Sequence, residues 1–163
     1  MSRIKMEVGG IVIDPASGKP IVMLSAGRKQ MSLPMWVGIL EATAIAGEMA
    51  HVEADVHSSH RFAKAAIEML GGRVTGVAIT GLSGGSYTAV VHVRSADGRS
   101  VDIPARASEA VALALSCEVS IYVEEEVLAL SRELPGSGDP REPERLRELL
   151  ESLEPEDFGH YEM

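Results

Sequence analysis

The chain holds one cysteine, one tryptophan, two phenylalanines and three tyrosines in 163 residues. A single thiol, Cys117, excludes an internal disulfide and a paired-cysteine metal site, and it is the cysteine usage of a reducing compartment. Long hydrophobic runs are also missing. Segments such as Val74 to Ile79 and Val119 to Val123 fall far short of the roughly 20 apolar residues that cross a bilayer, and the N-terminus lacks the apolar core of a signal peptide. A cytoplasmic protein without a membrane span is the expectation. Positive charge is scarce: the formal net charge is -9, the opposite of what phosphate neutralisation by Lys and Arg calls for. The deficit is unevenly spread, since residues 131–163 carry 4 Lys+Arg against 10 Asp+Glu and residues 1–130 carry 11 against 14. Dinucleotide and phosphate loops and HExxH are absent as well, which removes the signatures of several familiar enzyme classes.

What is present is an ordinary globular composition, 45% hydrophobic and 24% charged, in a chain long enough to bury about 70% of its unfolded-state surface. Leu134-Pro135-Gly136-Ser137-Gly138-Asp139-Pro140 breaks the apolar periodicity. The organisation expected is a domain over 1–130, a linker over 131–143 and an acidic helical tail over 144–163. In that tail Leu146, Leu149, Leu150 and Leu153 have helical spacing, a stripe suited to docking on the body or on a neighbouring chain.

The body reads as an internal duplication. Gly10 to Ala46 and Gly76 to Ala114 follow the same order: a β-type run, a glycine-containing turn, two more β-type runs, then an Ala-rich amphipathic stretch. Glu41-Ala42-Thr43-Ala44-Ile45-Ala46 matches Glu109-Ala110-Val111-Ala112-Leu113-Ala114 at an offset of 68; Ile13 and Ile79, and Gly18 and Gly84, match at 66. Alternation puts Val101, Ile103 and Ala105 opposite Asp102, Pro104 and Arg106, and Asp97-Gly98 predicts a hairpin joining Ser86–Arg94 to Arg99–Pro104. A corresponding hairpin is expected around residues 26–29. The repeat helices present Ala42, Ile45, Ala46 and Met49, and Ala110, Leu113, Ala114 and Cys117, as core stripes. A third helix near 59–70 gathers Phe62, Ala65, Ala66, Met69 and Leu70 on one face and stops at Gly71-Gly72. The fold class is therefore α+β: two β-β-β-α units in a mixed or antiparallel sheet, with one inserted helix and a short C-terminal helix.

Five residues stand out for chemistry, each with more than one reading. Trp36, in Leu33-Pro34-Met35-Trp36-Val37-Gly38, stacks on a base or ligand, or anchors a core or subunit interface. Glu41 and Glu109 open equivalent helices; the helix dipole alone accounts for them, or the duplication brings both to one groove that takes a divalent cation. Arg106 grips a phosphate, or pairs with Glu109 three residues on. Asp102 shares its strand face as a solvated partner. His60, in His57-Ser58-Ser59-His60, is an acid or base, a metal ligand with its neighbours, or a histidine at a helix entry capped by serine. Cys117 lies on an apolar stripe as an inert core thiol.

Taken in order, Gly10-Ile11-Val12-Ile13-Asp14, Leu33 to Gly38 followed by Glu41-Ala42, the His60 helix ending in Leu70-Gly71-Gly72, Arg106 to Ala114 and Ile121-Tyr122-Val123 resemble the bifunctional nuclease domain family over roughly residues 5–130. The Pro155-Glu156-Asp157-Phe158 ending is similar to the tail of some bacterial members. The resemblance implies an α+β fold with an internal repeat, self-association into oligomers, and hydrolysis of RNA and DNA, an activity attributed to plant members. Together with the polar residues at matching repeat ends, the resemblance leads to an expected site in which Arg106 binds phosphate, Glu41 and Glu109 hold Mg²⁺ or Mn²⁺ or activate water, His60 is acid or base, and Trp36 lies on the substrate; of these the family pattern carries over Arg106 and His60, and Glu109 by charge alone. The family's Arg-Pro-Ser-Asp-Ala is Arg106-Ala107-Ser108-Glu109-Ala110 here, and its Thr-His-Asp is Ser59-His60-Arg61, so the acid after the histidine has become a base. A non-catalytic oligomeric adaptor or small-ligand binder is the competing expectation, favoured by the lack of a basic track.

Overall fold

Alternating buried and exposed side chains on β5 (Ser86–Arg94) show how the sheet is faced: Tyr87, Ala89, Val91 and Val93 are buried, while Ser86, Thr88 and Arg94 on the opposite side are exposed. The computed structural model describes residues 2–27, 31–52 and 58–132. Within them β1 (Arg3–Ile13), β2 (Pro20–Ala26) and β3 (Met31–Trp36) form an antiparallel meander that leads into α1 (Ile39–Met49). After α2 (Ser59–Met69), β4 (Arg73–Ser83), β5 and β6 (Ser100–Arg106) form a second meander that leads into α3 (Ala107–Cys117). The chain then adds β7 (Ile121–Glu124) and α4 (Glu125–Ser131).

All seven strands form one mixed sheet in the order β3-β2-β1-β7-β4-β5-β6. The short β7 joins the two meanders, antiparallel to β1 and parallel to β4. Both strands that flank β7 are irregular: register shifts fall between Val8 and Gly10 in β1, and between Val74 and Gly76 in β4, with a further one at Ile79/Gly81. Such insertions bend a strand and increase its local twist. Side chains also meet over the intervening strands, for Arg3 on β1 reaches His92 on β5 across β7 and β4.

The core gathers Met6, Val22, Leu24, Leu33 and Met35 of the first meander, Val77, Ile79 and Val91 of the second, and the buried face of α3. α3 is the central helix, with Ala107, Ala110, Val111, Ala112, Leu113 and Ala114 all buried. α1 contributes less than its apolar stripe predicts: Ala42 and Ile45 are buried, Ala46 is exposed and Met49 is 37% exposed. α2 departs from a usual surface helix. Its inner side carries His60, Arg61 and Lys64 with Ile67 packed against the core, and its apolar stripe of Phe62, Ala65 and Met69 faces outward. The Lys64 ammonium donates to the Ser116 carbonyl at 2.8 Å, tying α2 to α3.

The 86–94 and 99–104 hairpin forms with Val93 opposite Val101 and Thr88 opposite Arg106. β2 and β3 pair as expected from Ile21/Trp36 to Ala26/Met31, although turn residues 28–30 lie outside the described residues. So do His57, Asp55, and residues 133–163, which contain most of the expected linker and all of the helical tail. Among the described residues no helix is long and apolar enough to cross a membrane.

Candidate functional site

The N-terminus of a helix presents unpaired N–H groups and a positive dipole end, so a carboxylate in the first turn is electrostatically favoured there. α1 and α3 each place one three residues after the N-cap: Glu41 follows Gly38, and Glu109 follows Arg106. In α3 the Glu109 carboxylate turns back and accepts from the Arg106 N–H at 3.1 Å, which satisfies one otherwise orphaned donor. In α1 the Glu41 carboxylate folds against Gly38, where an added Cβ would collide with it.

Arg106 joins the two helix starts. Its Nη2 donates to Glu109 Oε1 at 2.8 Å and its Nη1 lies 3.3 Å from Glu41 Oε1. The hydrogen bond and charge of Glu109, with a smaller contribution from Glu41, raise the guanidinium above its ordinary pKa. The Arg106 hydrogen bond in turn holds the Glu109 carboxyl below its usual range, against an opposing effect of partial burial. The Arg106 side chain remains 64% exposed, so outward donors stay open to a ligand. The pairing of Arg106 with Glu109 expected from their spacing therefore forms, and it leaves the guanidinium largely open to solvent.

Trp36 lies at the same end of the molecule, two residues before Gly38. Its Nε1 donates to Asp14 Oδ2 at 3.4 Å, and the ring is 41% exposed. Gly18, Lys19, Pro20, Trp36, Gly38 and Gly85 line an open cleft of about 480 Å³ beside it. Asp14 is held in a turn by the Ser17 hydroxyl and the Ala16 N–H, which, Ser17 foremost, keep its carboxyl below its usual pKa. The cleft stops short of the acids but begins on the residues that cap α1.

His60 is elsewhere. It is buried at the entry of α2, and its Nε2 lies 2.6 Å from Oε1 of Glu48, an oxygen that also accepts from Arg61 Nε at 2.7 Å. Glu48 is seven residues from Glu41, about 10 Å further along α1. Burial pushes the Glu48 carboxyl up, and the hydrogen bonds and charges of Arg61 and His60 more than reverse that, leaving it below its ordinary range. Sequence spacing held no signal for Glu48, because it meets His60 across a helix pair.

A second polar chain crosses the sheet. Asp102 Oδ1 lies 2.7 Å from His92 Nδ1, Arg3 contacts His92 at 3.3 Å, and Arg3 also pairs with the buried Glu124 at 3.2 Å. Asp102 is therefore bound to a histidine rather than simply solvated. Cys117 is half-buried, and burial pushes its thiol pKa up, the opposite of an activated nucleophile.

Glu41 and Glu109 are hard oxygen donors of the kind that Mg²⁺ and Mn²⁺ take. Arg106 is bonded to both, however, and no group of three His, Cys, Asp or Glu side chains gathers anywhere among the described residues. As arranged, the pair shares one guanidinium, which offsets one of its two negative charges, and among the described residues it has no third ligand of the kind a metal cage needs.

A family model described as the bifunctional nuclease domain matches residues 22–133. Two uncharacterised proteins of Mycobacterium tuberculosis, from strains CDC 1551 / Oshkosh and ATCC 25618 / H37Rv, are each 33% identical to this chain over 94% of its length and 97% of theirs. The matched span holds Arg106, Glu41, Glu109, His60 and Trp36 together, and the chain belongs to the bifunctional nuclease domain family.

Proposed function

We propose that the protein hydrolyses phosphodiester bonds of RNA or DNA at the joined starts of α1 and α3. The observation that carries this reading is Arg106 held between Glu41 and Glu109, a fixed cation with outward-facing donors. Its carboxylate partners set the direction of the guanidinium fork and keep it charged, and a phosphate approaching from solvent meets its free N–H groups. Glu41 makes one ion pair where Glu109 makes two hydrogen bonds, so Glu41 is the carboxylate available to take a proton from an attacking water. Trp36 offers its exposed ring to a base beside the scissile phosphate. His60, nearly closed to solvent and bonded to Glu48, positions α2 rather than touching a polymeric substrate.

The two β-β-β-α units are, in this reading, copies of one another. What supports the duplication is the matching offset of their irregularities: the register shifts at Val8/Gly10 and Val74/Gly76 are 66 residues apart, as are Ile13 and Ile79. The N-caps Gly38 and Arg106 are 68 apart, as are Glu41 and Glu109. Copying a helix start would explain why two acids converge on one arginine.

The test uses purified full-length protein, labelled single-stranded RNA and DNA, and separate arms with EDTA, Mg²⁺ and Mn²⁺. Arg106→Ala removes a charge-assisted contact and is expected to weaken binding about tenfold or more. Glu41→Gln is expected to lower cleavage with little change in binding. Equal cleavage by wild type and both variants would identify a contaminant and end the proposal. A second reading, a non-catalytic adaptor or small-ligand binder, draws on exposed Ile39 and Leu40 beside the Trp36 cleft. Oligonucleotide binding without cleavage by any form would select it.

A further inference from the structure

A surface helix ordinarily buries its apolar stripe, yet α2 packs Ile67 against the core and leaves its larger apolar stripe in solvent. His60, Arg61 and Lys64 fasten it to Glu48 and Ser116, whereas Phe62 is 76% exposed, Met69 88% and Leu70 82%. Phe62, Ala65 and Met69 follow i, i+3, i+7 spacing, with Leu70 extending the stripe at the C-cap, so the apolar surface is one band. A contiguous apolar band of this kind marks a binding surface.

We propose that the chain's own C-terminal segment, residues 144–153, covers this band. Leu146, Leu149, Leu150 and Leu153 share the i, i+3, i+4, i+7 pattern, the complement of a helix face with the same repeat. The chain is long enough to deliver it. α4 ends at Ser131 beside Tyr87, at the start of β5. The end of α2 lies by the β5–β6 turn, where Gly71 faces Ala96. Tyr87 to Arg94 along β5 spans about 23 Å. The fourteen residues from Arg132 to Leu146 span about 46 Å when extended.

Charge sets the direction. Arg73 and Arg94 pair in register at that end of the sheet and Arg99 follows in the turn, together outnumbering Glu68 and Asp97. The tail becomes acidic from the end of the Leu stripe onward, with Glu151 between Leu150 and Leu153, then Glu154, Glu156 and Asp157, and no Lys or Arg over residues 151–157. A segment lying on α2 with its acidic end toward these arginines satisfies both patterns.

Oxidation of methionines by peroxide in the full-length protein, read by mass spectrometry, tests this. Met69 is more exposed than Met49, at 88% against 37%, and Met6 and Met35 are buried at 1% each and report on folding. In wild type Met69 is expected to react more slowly than Met49 at every protein concentration. In Leu149→Glu/Leu150→Glu it is expected to become the faster of the two while Met6 and Met35 stay unreacted. Glu151→Lys/Glu154→Lys, which keeps the Leu stripe, is expected to raise the Met69 rate by a smaller factor. Faster reaction of Met69 than of Met49 in wild type would overturn the proposal without recourse to any variant. Protection that disappears on dilution would overturn it in favour of a second copy of the chain.

Discussion

Single residues divide the polar groups of this protein into those that fasten helices and those that face solvent. Glu48 belongs to the first kind: it is 11% exposed at the side chain and is bonded by both His60 and Arg61. Glu48→Ala leaves two donors without their acceptor in a half-buried site and is expected to cost about 1–3 kcal/mol in a urea titration. The sign of its pH effect follows from its depressed pKa. The stabilisation is present above the unfolded carboxyl pKa and disappears as pH falls through the lower folded value. Wild type is therefore expected to lose more stability than Glu48→Gln between about pH 6 and about pH 3; equal losses would show that the pair contributes nothing. Tyr87 is a contrasting case. Its hydroxyl is buried with no partner in hydrogen-bonding geometry, although the Ser131 hydroxyl, which donates to the Leu128 carbonyl, lies nearby, and burial pushes its pKa up to about 12. Tyr87→Phe is expected to leave thermal stability unchanged or raise it by up to about 1 kcal/mol, and a loss beyond that would reveal a missed bond.

Elements show how far periodicity reaches. The hairpin from β5 to β6 was legible because alternating side chains and an Asp-Gly turn are local signals, and the same holds for the paired helix starts. α4 was not anticipated, as seven residues are too few for a helical period to stand out. The facing of α2 was hidden for another reason: a stripe says which residues lie together, and not whether the stripe meets the core. α3 is the element on which the body depends, since Ala110, Val111 and Ala114 are wholly buried in it. Small side chains there let the helix approach the sheet closely, so Ala110→Leu is expected to destabilise by about 1–3 kcal/mol through overpacking, read as a lowered denaturant midpoint with circular dichroism. An unchanged midpoint would mean that room exists beneath α3.

For the whole molecule, charge decides how a nucleic acid is met. Residues 1–130 carry 14 Asp+Glu against 11 Lys+Arg, and the proposed site offers one arginine flanked by two acids. Binding of single-stranded RNA is accordingly expected to show a shallow salt dependence, a log–log slope of about -0.7 for one phosphate contact. A slope several times steeper would place the binding surface on other basic residues. The sequence alone determined the α+β class, the family, the two meander-and-helix runs and the residue types at each helix start, because all of these rest on local order and spacing. The tertiary structure decided that Glu41, Arg106 and Glu109 meet while His60 turns to Glu48. It also decided that β7 joins the meanders and that α2 shows its apolar side to solvent. Those outcomes depend on which elements lie against each other in space, a long-range property that no single window of residues contains.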